Sequence, residues 1–560
     1  MRLINDLLVY SLVFSFLALS FGPMAMADYE GFPSVDSWLV PWESDVTCLT
    51  MQGPSNRFSP NIHYVNDDDN YAIDFSGCSK HDSSSGATTS LSSFSKDGHT
   101  GEMQLPKLYS PTNGYVEKWC DKYGQRDTCR DPNNSCHVSD DEQACSSGGY
   151  GNHLKIKTSS GRFLVMAHFY NLDPGLVSRL KAGNRFIRAG AFLGYMGNSG
   201  YVESKNGGTG LHLHFEVDIN ANTLEVFRTK NKEKNNEKIW GSVTSCEDIV
   251  ARSKASNQRP ASGLSCLNKM GTPFVYMKEG SFTFGATKDV KTLSSLDVVA
   301  SRIYIDKPFL IGKFEATLWD WLAAVGNIFM PETPIEAFVP MYESDDRKEY
   351  SELSEEEQNA YRENHNKFYN SLKFPLVNIT FREVGFLISR INANYDYQDL
   401  FALPTEKQWE YACKEERSPE TIYSKDNIGR LKLLEWTPLN SDGHYHEVGV
   451  LTANVWGLHD MLGNVMEWTQ LEGTTYLMKS PVKIDNLTIA RPLSGQSSKS
   501  GSSEVMDRAQ MEILKGRSFF VPVTLGTQDY LSTFRCSYRS KGVSSMRLPT
   551  IGFRLVMNPY

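Results

Sequence analysis

Gly207-Gly-Thr-Gly-Leu-His-Leu-His-Phe-Glu-Val217 is the stretch from which the fold of the first part of the chain is predicted. In its second half, His212 and His214 alternate with Leu213 and Phe215. A period of two in a run that ends on an aromatic residue and a valine is typical of a β-strand. The two histidines are therefore expected on one face of a sheet.

Two imidazoles on one face of a strand have two interpretations. Neutral imidazole is the commonest protein metal ligand, so the pair could share a metal site or divide into a ligand and a proton carrier. The alternative is a strand with two polar residues on its solvated face. A second copy of the spacing, Gly443-His-Tyr-His446, lies in a polar run and is interpreted as surface.

Four ordered motifs favour the metal interpretation. They are Tyr71-Ala-Ile-Asp-Phe-Ser-Gly77, Gly148-Gly-Tyr-Gly-Asn-His153, Phe163-Leu-Val-Met-Ala-His-Phe169 and Gly194-Tyr-Met-Gly-Asn-Ser-Gly200, followed by the His-x-His strand. In this order they resemble the lysostaphin-like zinc endopeptidases, which cut peptide cross-links of bacterial cell walls. The resemblance covers residues 38 to 226 and implies a mostly antiparallel β zinc-peptidase domain, placed at 28–235.

The resemblance implies a zinc site of His63, Asp74 and His214. The common pattern places the first histidine four residues before the aspartate, where this chain has Asn70. Because Asn is a poor zinc ligand, His63 is the expected replacement, as in the beta-lytic and staphylolysin branch of the family. His168 and His212 are expected to be catalytic, orienting or deprotonating the attacking water and stabilising the oxyanion.

Zinc held by two neutral imidazoles and one carboxylate keeps a fourth position for water, whose pKa falls to about 7. Such a site predicts peptide-bond hydrolysis. Glu216 is expected on the opposite face of the strand, in a salt bridge or a hydrogen bond behind the ligands. His153 is expected to be structural.

Composition and the start of the chain indicate an exported multidomain protein. A length of 560 residues suggests two to four domains, and a net charge of −9 argues against nucleic acid as a partner. Residues 1–27 have the form of a secretory signal peptide, because Arg2 precedes an apolar run from Leu7 to Phe21 and Ala25-Met-Ala27 is a small-x-small cleavage signal. The mature chain is expected to be secreted or periplasmic, without a stable membrane anchor.

The even number of cysteines, 10, agrees with an oxidising compartment. Four of them, Cys120, Cys129, Cys136 and Cys145, crowd into one polar segment and can pair in three ways. Cys246 and Cys266 bracket a polar stretch and are expected to close it. That stretch, 236–270, is interpreted as a linker.

The rest of the chain contains five further ordered motifs, at 274–285, 309–317, 403–413, 551–555 and, most distinctively, Trp456-Gly-Leu-His-Asp-Met-Leu-Gly-Asn-Val-Met-Glu-Trp468. Through these motifs the chain from residue 271 to 560 resembles the formylglycine-generating enzyme family, whose fold is an α+β variant of the C-type lectin fold. An acidic insertion near 343–368 interrupts them.

The second domain is not expected to generate formylglycine. The family's oxidase needs two copper-binding cysteines, and the corresponding segment 516–534 contains none. The resemblance also implies a Cys413 to Cys536 disulfide. It further implies a possible calcium site at Glu467 with the backbone near 462–465. The alternative is that Asn464, Glu467 and Trp468 only fix an irregular turn by hydrogen bonds.

The sequence thus predicts a zinc metalloendopeptidase that hydrolyses peptidoglycan stem or cross-bridge peptides. The second domain would bring the enzyme to the wall or to a protein or glycan ligand. Two alternatives stay open: an exported binding protein without catalytic activity, and a protease of glycine-rich proteins.

Overall fold

A computed structural model describes residues 39–43, 45–52, 73–81, 87–91, 105–121, 150–158, 163–199, 211–217, 241–254, 260–287, 295–325, 371–394, 400–415, 423, 427–471, 511–520 and 531–559. His63 and Asn70, the signal-peptide segment, Cys129, Cys136, Cys145 and the acidic insertion lie outside these residues. Cys120 is disulfide-bonded.

The first domain is built from short strands and one helix. Its elements are β1 (Leu39–Glu43), β2 (Val46–Gln52), β3 (Ile73–His81), β4 (Thr88–Ser90), β5 (Lys107–Tyr109), β6 (Gly114–Cys120), β7 (His153–Thr158), β8 (Phe163–Ala167), β9 (Phe169–Leu172), α1 (Pro174–Lys181), β10 (Phe186–Ile187), β11 (Phe192–Met196) and β12 (Leu213–Val217). The strands predicted at 115–116, 154–156, 163–166, 192–195 and 211–217 are all present, and the last of them begins at Leu213 rather than Leu211.

The main sheet of this domain has the order β10-β6-β7-β8-β12-β3-β2, with β4 paired to β3, and its ladders are antiparallel. A second sheet has the order β5-β11-β9. Apolar side chains of both sheets and of α1 form one core, in which Leu108, Leu154, Met166, Phe215 and Leu193 are fully buried. The chain is therefore sheet-rich here, and β12 lies in the interior of the main sheet.

The second domain adds further sheets and five helices in the part of the chain described. Its elements, with those leading into it, are β13 (Gly241–Val243), α2 (Cys246–Lys254), β14 (Leu264–Leu267), β15 (Pro273–Met277), β16 (Gly280–Phe284), β17 (Ser301–Ile305), β18 (Phe309–Gly312), α3 (Leu318–Val325), α4 (Phe381–Asn394), β19 (Phe401–Ala402), α5 (Glu406–Lys414), α6 (Ile428–Leu434), β20 (Met466–Trp468), β21 (Met511–Lys515), β22 (Ser540–Val543), β23 (Ile551–Gly552) and β24 (Val556–Met557). Three sheets, β14-β15-β18-β24-β19, β16-β17 and β22-β21-β20-β23, pack with these helices.

The stretch 236–270 contains more regular structure than the linker interpretation implies. Strand β13 pairs with β1, α2 follows it, and β14 is the edge strand of the β14-β15-β18-β24-β19 sheet. The polar composition hid these elements because α2 buries few residues, chiefly Cys246 and Ile249. The Cys246–Cys266 disulfide is present, as predicted, and so is Cys413–Cys536.

The two domains meet through buried contacts. Phe186 packs edge-on against Trp319 with ring centroids 6.2 Å apart. The Arg188 guanidinium lies 3.1 Å from Asp320, and both side chains are 2% exposed. No helix among the described residues is long and apolar enough to cross a bilayer.

Candidate functional site

The site begins with the register of β12. His214 lies opposite Asp74 on β3 and opposite Ala167 on β8. Two of the predicted zinc ligands therefore occupy directly paired positions in the middle of the main sheet. The long-range pairing of β3 with β12 brings together residues that are 140 positions apart in the sequence.

Three histidines converge beside this ladder. The His168 ring centroid lies 4.5 Å from that of His212 and 5.8 Å from that of His214. His168 and His214 are buried, whereas His212 is partly exposed. The predicted catalytic pair and the predicted strand ligand are thus brought to one place.

The position of His168 is fixed by its backbone and its ring. The residue has a φ of 65°, in the left-handed region that few L-residues adopt. Its amide donates to the Tyr150 carbonyl at 3.0 Å, and its Nδ1 lies 2.8 Å from the Ser199 carbonyl. Because a carbonyl only accepts, Nδ1 is the donor, and the neutral ring carries its lone pair on Nε2.

The residues before β12 make hydrogen bonds that fix the backbone around His168 and His212. The His212 amide donates to the Gly197 carbonyl at 3.1 Å. The Ser199 hydroxyl donates to the Phe169 carbonyl at 2.7 Å and accepts from the Asn152 amide at 2.9 Å. A Cβ on Gly197 would lie 2.2 Å from the Tyr170 nitrogen, so only glycine permits this close approach.

Glu216 lies on the same side of β12 as His214, and the expectation of the opposite face was wrong. A period of two places 212, 214 and 216 together. The Glu216 Oε2 atom is 3.5 Å from His214 Nε2 and accepts a hydrogen bond from the Tyr150 hydroxyl at 2.8 Å. Burial raises the pKa of Glu216, but the contacts with His214 and Tyr150 outweigh burial and leave the pKa lowered.

The other histidines have structural surroundings. His153 is buried with Nδ1 2.8 Å from the Gly151 carbonyl, and burial lowers its pKa. His444 is exposed, as expected for surface, but His446 stacks on Trp436 with centroids 3.7 Å apart and contacts the Ser441 carbonyl. The surface interpretation of the second His-x-His spacing therefore fails for His446, because its ring packs on an aromatic neighbour.

Zinc is the metal that this donor set would suit, since imidazole and carboxylate are its usual N and O ligands. The lone pairs of the clustered imidazoles and the paired position of Asp74 fit that chemistry. Within the described ranges no group of three or more His, Cys, Asp or Glu side chains is arranged to hold a metal ion. The predicted third ligand, His63, is outside those ranges, and for Asp74 only the backbone is described.

Glu467, the predicted calcium ligand, is held by other partners. Both of its oxygens accept from the Arg554 guanidinium at 2.7 to 2.9 Å, and Oε2 also accepts from Trp409 Nε1 at 2.7 Å. The neighbouring amide of Leu462 donates to Glu435. These contacts are those of the hydrogen-bonded turn, the alternative to calcium.

Two supporting residues, Tyr150 and Asn152, were not assigned a role from the sequence. Asn152 is buried, and its Nδ2 donates to the carbonyls of Phe169 and Tyr170. Both residues lie in the glycine-rich motif 148–153, so the sequence identified the motif but not the roles of these two residues. Their contacts depend on the pairing of β7 with β8, which the motif does not encode.

The fold and site define a sheet-rich protein of two domains, with a histidine cluster in the first. The family model of the Sulfatase-modifying factor enzyme 1-like domain matches residues 265–559, more than half of the chain. The chain belongs to this family.

Individual similarities are more distant. The chain is 28% identical over 175 residues to a formylglycine-generating enzyme of Mycobacterium tuberculosis. The matched region is 28% of this chain and 51% of that relative, so the chain spans about half the length of the curated relative it matches. PvdO from Pseudomonas aeruginosa is 18% identical, covers 53% of this chain and 99% of its own, and has a TM-score of 0.36. A zinc-containing peptidase from Vibrio cholerae is 16% identical over 26% of this chain and 46% of its own, with a TM-score of 0.12.

Proposed function

We propose that this protein is a secreted or periplasmic zinc metalloendopeptidase that hydrolyses peptide bonds of peptidoglycan stems or cross-links. The observation that carries the proposal is the convergence of His168, His212 and His214 beside the position of Asp74. The His168 ring centroid lies 4.5 Å from that of His212 and 5.8 Å from that of His214, and because His168 Nδ1 donates to the Ser199 carbonyl, its Nε2 carries a lone pair.

Each residue has a defined task in this proposal. His214, Asp74 and His63 would hold the zinc ion, which when bound would lower the pKa of water and polarise the scissile carbonyl. His168 presents Nε2 as a proton acceptor, because its Nδ1 proton is committed to the Ser199 carbonyl. His212, 4.5 Å from His168, would donate a hydrogen bond to the oxyanion of the tetrahedral intermediate.

The second domain would act in targeting rather than in oxidation. Its family membership is established by residues 265–559, but segment 516–534 lacks the thiolates that copper chemistry needs. A peptidoglycan peptide would be the partner of the first domain, and a protein or glycan ligand that of the second. Calcium at Glu467 would require the contacts of Arg554 and Trp409 to be exchanged, so no calcium site is proposed.

The test is zinc content by elemental analysis of the purified mature protein, beside digestion of purified peptidoglycan. His63→Ala and Asn70→Ala are a matched pair. One zinc per chain, lost in His63→Ala and kept in Asn70→Ala, with release of peptide fragments that His168→Ala abolishes, is expected. A protein that takes up no zinc when the metal is supplied would contradict the hydrolase and favour the exported binding protein. Cleavage of glycine-rich proteins but not of peptidoglycan would change the substrate and keep the mechanism.

A further inference from the structure

A carboxylate and a phenol support His214 from outside the predicted ligand set. Glu216 Oε2 lies 3.5 Å from His214 Nε2, and the Tyr150 hydroxyl donates to the same Oε2 at 2.8 Å. The side chains of His214 and Glu216 are 8% and 13% exposed, so water competes little for these contacts. The Tyr150 ring packs against the His214 ring with centroids 5.5 Å apart.

Tyr150 also connects this pair to the other rings. Its carbonyl accepts from the His168 amide at 3.0 Å, and two residues further on Asn152 is bonded to Ser199, whose carbonyl accepts from His168 Nδ1. One turn of chain, 150–152, therefore contacts the supports of both His168 and His214. A shift of this turn would move the two rings together.

The Glu216 carboxylate approaches one particular nitrogen of His214, Nε2. A carboxylate only accepts, so the ring nitrogen that faces it is favoured as the N–H, and the lone pair then lies on the other nitrogen. Metal-binding histidines in proteins almost always donate their second N–H to such a partner, which fixes the orientation of the ring and raises its basicity.

We propose that Glu216, held in place by Tyr150, is a positioning residue that keeps the His214 proton on Nε2 and leaves Nδ1 as the ligand atom. The proposal rests on the proposed zinc site for its consequence, since the value of the arrangement is tighter metal binding. Glu216 itself takes no part in the chemistry, because its contacts are made with Tyr150 and His214.

Four variants of the full mature chain separate charge, acceptor and packing. Glu216→Leu removes the acceptor, Glu216→Gln keeps an acceptor without charge, and Tyr150→Phe removes only the hydroxyl and retains the ring and the carbonyl that holds His168. Glu117→Gln is the control, because Glu117 forms a partly exposed pair with Lys155 and lies on β6 of the same sheet, which β7 and β8 separate from β12. Thermal unfolding of each variant checks that the fold is kept.

Two measurements decide the proposal. Zinc affinity, from competition with a chromophoric chelator, should fall about 10- to 100-fold in Glu216→Leu, by less in Glu216→Gln and Tyr150→Phe, and not in Glu117→Gln. Nitrogen-15 NMR of histidine-labelled, metal-free protein should show His214 protonated at Nε2, with the Nδ1-protonated form appearing in Glu216→Leu.

The NMR measurement keeps the two hypotheses apart. If the wild-type protein binds no zinc but shows the Nε2 proton and its loss in Glu216→Leu, the zinc peptidase fails and the positioning role stands. If the wild-type ring is protonated at Nδ1, or if Glu216→Leu binds zinc as tightly as Glu117→Gln, the positioning role is wrong, whatever the enzyme does.

Discussion

Two buried polar clusters, one in each domain, are built on different principles. In the second domain, Glu410 lies between two lysines, with Lys414 Nζ at 2.8 Å and Lys515 Nζ at 2.9 Å, and all three side chains are at most 2% exposed. In the first domain, three imidazoles lie in one small region, and the Glu216 carboxylate is 3.5 Å from one of them, His214. Opposite charges alternate in the Glu410 cluster of the second domain, whereas like groups are gathered in the histidine cluster of the first domain.

The difference separates a structural cluster from a candidate site. Burial raises the pKa of Glu410, but the two lysines outweigh it and leave the pKa lowered, so the carboxylate stays ionised and satisfied. Gathered imidazoles carry no opposite charges, so they gain no attraction of this kind from each other. Such a grouping is more typical of a functional site than of a structural ion pair, which is why the cluster carries the proposal of a metal site.

The largest effect on stability is expected when the charge of Glu410 is removed. Glu410→Gln removes the carboxylate nearest to both buried lysines and leaves Lys515 only the more distant Glu406 at 3.7 Å, so the free energy of unfolding should fall by about 3–5 kcal/mol. A urea titration followed by tryptophan fluorescence measures the loss, and Trp409, fully buried on the same helix, contributes to the signal. The same change in the exposed pair, Glu117→Gln, should cost at most about 1 kcal/mol. Equal losses would mean that burial does not set the value of these ion pairs.

A single buried histidine in the second domain sharpens the contrast with the cluster. Burial is the main cause that lowers the pKa of His459 to about 4, and Lys313 and Arg554 add to it, while Nδ1 contacts the Leu451 carbonyl. Unfolded histidine has a pKa of about 6.5, so the unfolded chain binds the proton first. Stability from this residue is complete above pH 6.5 and is lost as the pH falls towards 4, by about 3 kcal/mol.

His459→Gln isolates this contribution. Neighbouring Asp460, whose pKa is raised by burial to about 6, contributes with the opposite sign, since its folded form favours the proton. We therefore expect the difference in urea stability between wild type and His459→Gln to shrink by about 3 kcal/mol between pH 7 and pH 4. A difference that stays constant with pH would show that His459 is protonated inside the fold.

Strand β12 shows how much of the candidate site could be predicted from the sequence. The alternation of His212 and His214 with apolar residues identified the strand and its face, because a period of two is a local property. The same period predicts Glu216 on the face of His214, so this position could have been predicted from the sequence. The partner strand could not be derived from periodicity, because pairing β12 with β3 depends on contacts across more than a hundred residues.

The second domain shows the same limit. Its motifs identified the family and the Cys413–Cys536 pair. Glu467 was assigned a possible calcium ion because its loop resembles a calcium loop of the family, and its partner Arg554, 87 positions away, could not be inferred from the sequence. In 236–270, low hydrophobicity concealed β13, α2 and β14, which are stabilised by pairing with β1 and β15 rather than by their own composition. Long-range partners, not local propensity, decide these cases.

A smaller effect tests whether the histidine cluster depends on side chains or on backbone. Ser199→Ala removes the hydroxyl that joins the Asn152 amide to the Phe169 carbonyl, and should cost about 1–3 kcal/mol in thermal or urea unfolding. The Ser199 carbonyl that holds His168 Nδ1 is unchanged. Zinc content should therefore stay as in wild type, and a loss of zinc would show that the hydroxyl also places the ring.

The smallest expected effect assigns unfolding transitions to the two domains. Thr405 caps α5 in a reciprocal capping box with Gln408, and Asp173 caps α1 by accepting from the Leu176 amide. Either residue changed to alanine should cost about 1 kcal/mol. Because α5 carries Glu410, Thr405→Ala should shift the same calorimetric unfolding transition as Glu410→Gln. Asp173→Ala should shift that transition too only if the contact of Arg188 with Asp320 makes the domains unfold as one unit, so equal shifts of a single transition would measure that coupling.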